Sequence, residues 1–257
     1  MELPELALVL VVGVAGGFLN TVAGGGSALT MPVLIFLGMP SSVANGTVRV
    51  AIMLQNITAV AGFRSKGHFE PALALQLGLP ALAGAVVGSR IAVDVPDAVF
   101  NAVLAGVMVL VLVSIFFKPK PADGQGSVEP PTGSRRILLM AIFFVIGVYG
   151  GFIQAGVGFL IMSSLIFLSG YDLVRINAVK VAVILIFTVS ALTVFLLNGK
   201  VEWGPGLTLA AGNAAGAWIG ARFSVAGGER WIRAILVVAV VVMAVRVSGL
   251  LELIGIL

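Results

Sequence analysis

The 257 residues carry 60% hydrophobic and only 10% charged side chains, with a mean hydropathy of +1.16, which excludes a water-soluble surface for most of the chain. The net charge of +4 and pI near 9.9 arise from Lys and Arg set in short gaps between apolar runs, so the basic balance reports membrane orientation rather than nucleic-acid binding. The absence of cysteine excludes disulfides, thiolate metal sites and cysteine nucleophiles.

The first apolar run, about 4–22, follows Glu2 and Glu5 rather than a basic stretch, and reads as a retained helix rather than a cleaved signal. Runs at about 26–39, 41–63, 71–93 and 96–117 follow it. The segment 118–134, KPKPADGQGSVEPPTGS, cannot continue a membrane helix and reads as a cytoplasmic linker. Beyond it come runs at about 136–153, 156–169, 172–197, 204–226 and 229–246. The expected fold is an all-α integral membrane protein of about ten helices, divided into a first repeat at 1–117 and a second at 135–257.

A shift of 132 positions places Gly26 on Gly158, Gly38 on Gly170, Asn45 on Asn177, Phe63 on Phe195, Gly67 on Gly199 and Glu70 on Glu202 without a gap. The strings GAVVGSR, 84–90, and GAWIGAR, 216–222, coincide under the same shift, as a duplicated unit requires. Five spans per unit make the second unit enter from the opposite side, so the repeats are expected to be inverted. With the N-terminus outside, Arg64, Lys66, Lys118, Lys120, Arg135, Arg136, Arg175, Arg222, Arg230 and Arg233 fall inside. Only Arg90, Lys200 and Arg246 then fall outside, a positive-inside bias. The location predicted is the inner (plasma) membrane, multi-pass.

The segments 26–39 and 156–169 are too short to cross a hydrocarbon core of about 30 Å as simple helices and read as broken or re-entrant. Each follows a glycine-rich break containing Gly25, Gly26 and Ser27, or Gly156 and Gly158, with Asn20 and Gln154 just ahead. Free backbone N–H groups at such helix starts can face an anion. The helices that follow carry polar stripes: Asn45, Arg49 and Asn56 in one, Asn177, Lys180 and Thr188 in the other. Arg49 and Lys180 each sit eight residues into a helix, about 12 Å deep, which predicts both cations near the midplane. All acidic residues map to loops or helix ends, so the two cations lack a carboxylate mate and an anionic substrate would supply the counter-charge. Arginine offers a planar fork for two oxygens, lysine a point charge able to change protonation. On this reading Arg49→Gln costs about 2 kcal/mol of anion binding, roughly thirtyfold, whereas a packing role costs folding instead. The glycine repeats Gly84-x3-Gly88 and Gly212-x3-Gly216-x3-Gly220 read as helix-packing faces.

The strings GGFLNTVAGGGSALTMPVLIFLGMPSSVANGT, 16–47, and GGFIQAGVGFLIMSSLIFLSGYDLVRINAVK, 150–180, resemble the paired signatures of the TauE/SafE sulfite exporter family. The resemblance covers nearly the whole chain outside 118–134. It implies a secondary carrier, mostly bacterial, that moves sulfite, sulfonates such as sulfoacetate, or small carboxylates, often outward. The partners expected are a small anionic substrate and the lipid bilayer, with proton coupling and a homodimer left open, and no nucleic acid, cofactor or metal. An anion channel shares these electrostatics. An intramembrane enzyme is disfavoured, since no Ser/His pair, acidic dyad or metal cluster lies at membrane depth.

Overall fold

A computed structural model describes residues 2–23, 26–65, 67, 69–116, 133–169, 171 and 173–223. Among them the chain forms nine helices: α1 (Leu3–Ala23), α2 (Ser27–Phe36), α3 (Ser41–Ser65), α4 (Pro71–Asp94), α5 (Asp97–Phe116), α6 (Gly133–Phe152), α7 (Val157–Ser169), α8 (Leu173–Leu197) and α9 (Trp203–Phe223). The run expected at 229–246 lies outside the described residues. By length and composition α1, α3, α4, α6 and α8 contain windows able to cross a membrane. Helix α6 begins at Gly133, inside the segment read as linker.

Apolar side chains such as Val11, Leu79, Val145 and Phe167 stand exposed on the periphery, while Leu77, Phe143, Phe187 and Ala191 fill the interior, as expected when the outer solvent is lipid. What holds the helices together is close backbone approach. Gly84 and Gly88 of α4 lie so near the Phe144 and Val148 carbonyls of α6 that neither has room for a Cβ, and Gly147 and Gly151 of α6 are equally tight against Ala81 and Ala85. The same device joins α9 to α1, where Gly212 and Gly216 press on Leu10 and Val14, and Gly13 and Gly17 on Leu209 and Asn213. Each seam unites a helix from one sequence repeat with a helix from the other.

These contacts also fix direction. Positions rise together along α4 and α6, and along α9 and α1, so each pair runs parallel. Gly78 meets Ile186 and Ser190 donates to the Leu82 carbonyl, which sets α8 parallel to α4. Thr47 approaches Gly206, and Gln55 meets Asn213, which sets α3 parallel to α9. Against α6 and α8, by contrast, α3 runs antiparallel: Asn45 reaches Phe152 and Arg49 reaches Gly150, while Gly46 meets Lys200 and Arg49 meets Phe195. Helices α1, α3 and α9 thus point one way, and α4, α6 and α8 the other. Gly67 and Gly199, partners under the 132-residue shift, both have positive φ, 74° and 65°, and end α3 and α8 in the same manner.

Candidate functional site

The best-defined polar assembly surrounds the break between α6 and α7. Helix α6 ends at Phe152, the chain turns through Ile153–Gly156 with Gly156 at φ 72°, and α7 doubles back from Val157. A helix end leaves its last carbonyls without intrahelical donors, and in an apolar interior they must be met from elsewhere. Here α3 meets them. Asn45 Nδ2 donates to the Phe152 carbonyl at 2.7 Å, and Arg49 donates to the carbonyls of Gly150 at 3.1 Å and Gly151 at 2.6 Å. Arg49 also donates to Gln154 Oε1 at 2.9 Å and Asn45 Oδ1 at 3.1 Å, and its guanidinium lies 4.8 Å from the centre of the Phe195 ring. The Tyr149 hydroxyl bonds the Ala155 carbonyl at 2.6 Å across the same turn.

Arg49 is fully buried, and four of its five N–H groups are spent on these acceptors; Nε has no partner. A cation at the carbonyl end of α6 is favourably placed against the helix dipole. In this conformation the arginine fork holds the broken helix, so an anion reaching it would have to displace two main-chain carbonyls.

Lys180 on α8 is likewise buried, with Nζ 2.8 Å from Asn177 Oδ1 and 3.8 Å from the thioether sulfur of Met162 on α7. Among the described residues no carboxylate pairs with either buried cation; Glu70 instead pairs with Arg175 at 3.2 Å, with both side chains partly exposed. The two cations do not share a level. Arg49 sits beside Phe195, fifteen positions along α8 from Lys180 and so about 22 Å away along that helix axis. The antiparallel register of α3 and α8 that follows from this contact brings Asn56 to the level of Thr188.

Asn56 Nδ2 is turned to its own Ile52 carbonyl at 2.7 Å, and the Thr188 hydroxyl is buried without a partner. Asn20 is half-buried and packs against Gly26, Gly158 is buried in the first turn of α7, and Ser27 opens α2. Gly25 lies outside the described residues. The reading of the sequence passed over Tyr149, Met162 and Asn213, whose roles depend on contacts between distant segments; Gln55 of α3 meets Asn213 of α9. The groove lined by Ala141, Ile142, Val145, Ile146, Tyr149 and Leu160 opens past the exposed Val145 and Leu160 and is apolar apart from Tyr149, so it offers no anion site.

The family model for sulfite exporter TauE/SafE matches residues 9–247 of this chain. The chain belongs to that family. A Sinorhizobium protein named "Probable membrane transporter protein ORF9" is 29% identical over 245 residues, covering 94% of this chain and 91% of its own length. A Haemophilus influenzae "Probable membrane transporter protein" is 25% identical, covering 94% and 93%. The Escherichia coli protein YfcA, given the same description, is 25% identical, covering 94% and 88%. No solved structure matches the chain. Membership of TauE/SafE, together with several long apolar helices, makes this a multi-pass membrane transporter.

Proposed function

We propose that the chain is a secondary transporter that exports a small oxyanion such as sulfite, a sulfonate or a small carboxylate by alternating access. The observation that carries the reading is the pair Arg49 and Lys180, buried on equivalent long helices with no carboxylate partner among the described residues. The architecture proposed is two inverted five-helix repeats giving ten membrane segments. Its support is that α1 and α6, α3 and α8, and α4 and α9 run in opposite directions, and that two glycine seams exchange helices between the halves.

Within this reading the two cations divide the work. Arg49, with Asn45 and Gln154, holds the α6–α7 break so that the N–H groups around Gly156 and Gly158 are presented, and it adds positive potential at that level. Lys180, with Asn177, contacts the anion at a second level, and Asn56 and Thr188 supply neutral contacts between them. Gly25, Gly26 and Ser27, with Asn20, form the corresponding helix start of the first half. The anion then passes one cation at a time rather than resting between both.

The test is flux in liposomes. Purified protein loaded with sulfite, methanesulfonate or acetate should show uptake of labelled anion that is accelerated by unlabelled anion on the opposite side. Flux without that acceleration identifies a channel, and no flux with any of the three anions rejects the reading. Folded Lys180→Gln with wild-type affinity would remove Lys180 from the site.

A further inference from the structure

One buried amide has no part in the assembly around Arg49. Asn213 on α9 is 4% exposed; its Nδ2 lies 3.4 Å from Gln55 Oε1, and its Oδ1 has no partner. The unpartnered oxygen stands at the hairpin formed by α1 and α2. It is 3.5 Å from where a Cβ on Gly16 would lie, and Gly16 itself packs on the Thr30 methyl group and the Gly26 carbonyl. In either orientation of the amide one atom faces Gln55 and the other faces Gly16.

The second half shows what packing alone requires there. Under the 132-residue shift Asn213 falls on the buried Ala81, and Gln55 falls on the buried Phe187, whose ring packs on Gly150. An apolar ring fills that position without leaving any polar group unpaired. At the same level the first half carries two facing amides, one of them with a buried oxygen that meets no protein donor. Steric packing therefore does not account for Gln55 and Asn213.

We infer that Asn213, oriented by Gln55, is a substrate contact that recognises one oxygen of the transported oxyanion where the α1–α2 hairpin, α3 and α9 meet. The inference rests on the anion-transport reading above. Charge attraction belongs to the lysine and arginine levels; the amide adds discrimination. With Nδ2 turned toward Gly16 it donates to a deprotonated oxygen, and with Oδ1 turned there it accepts from the O–H of a protonated one. Gln55 follows by presenting its complementary atom. The pair thus tunes which oxyanion, and which protonation state, is preferred.

Full-length wild type, Asn213→Leu, Asn213→Ala and the double variant Gln55→Leu/Asn213→Leu are compared in liposomes with labelled sulfite, methanesulfonate and acetate, with thermal unfolding followed in parallel. Replacing both partners of a buried polar pair by apolar groups is neutral or stabilising for folding. The double variant should therefore unfold at or above the wild-type temperature, while half-saturation rises about tenfold for at least one anion and the order of preference among the three changes. Asn213→Ala, which fits any volume that asparagine fills, should show the same change in preference if a leucine is not accommodated. Unchanged half-saturation and unchanged preference in folded variants overturn the inference and leave the transport reading intact. A wild type that neither binds nor moves any of the three anions overturns both.

Discussion

Replacing Arg49 separates a residue that holds the α6–α7 break from one that holds substrate. Arg49→Met keeps most of the side-chain volume but removes donors from Gly150 O, Gly151 O, Gln154 Oε1 and Asn45 Oδ1. Each buried acceptor left unpaired costs about 1–3 kcal/mol, partly offset because the variant no longer desolvates a charge. The expected net loss of folding stability is about 3–5 kcal/mol, large against a total of about 5–15 kcal/mol. Arg49→Lys keeps the charge but reaches fewer acceptors, so it should lose about 2 kcal/mol. Chemical unfolding of the purified proteins in detergent gives the ranking wild type, Lys, Met. Anion affinity, measured on the folded fraction of Arg49→Gln, should stay within a few-fold of wild type. If Arg49→Met unfolds with the wild type while Arg49→Gln loses about thirtyfold in anion binding, the fork serves the substrate and the account of the break fails.

Gly88→Val drives two methyl groups into the Val148 carbonyl region and should cost about 3 kcal/mol or more, seen as loss of monodisperse protein in size-exclusion chromatography, whereas Gly62→Ala, with open space around it, should leave the profile unchanged. Tags at residue 125 and at the C-terminus should map to opposite membrane faces, residue 125 inside; the same face for both would end the five-plus-five inversion. Glu70→Gln removes the partly exposed ion pair with Arg175 and should change stability by no more than about 1 kcal/mol, less at high salt; a larger loss would mean that this contact does more than join the start of α4 to the first turn of α8.

Much of the local structure was legible because periodicity and helix breakers act locally. The helix expected at 41–63 runs Ser41–Ser65, that at 172–197 runs Leu173–Leu197, and the break ahead of Gly156 falls where the glycine pattern put it. The residues around that break, Asn45, Arg49 and Gln154, were also singled out from the sequence, although their joint task was not. A repeat shift identifies which residues are equivalent, not which ones touch. Arg49 meets acceptors about a hundred positions away because α3 packs antiparallel to α6, an arrangement set by glycine seams between the halves. Gln55 and Asn213, 158 residues apart, come together for the same reason and lack any repeat signature.

The depth of the two cations shows where helix counting fails. Measuring eight residues inward from each helix start assumes that α3 and α8 begin and end flush with the two membrane faces. They do not, because Lys200, just past the end of α8, packs on Gly46, and Glu202 N–H is held by Thr47 Oγ1 at 3.0 Å, both well inside the first turns of α3. Helix α8 therefore ends beside the Arg49 level, with Phe195 in its last turn against the guanidinium. This stagger turns two charges at nominally equal depth into two levels about 22 Å apart along α8. A small oxyanion cannot span that distance, so in this register the two cations cannot both grip one such ion, and the neutral residues Asn56, Thr188, Gln55 and Asn213 lie between their levels because α3 packs antiparallel to α8 and parallel to α9.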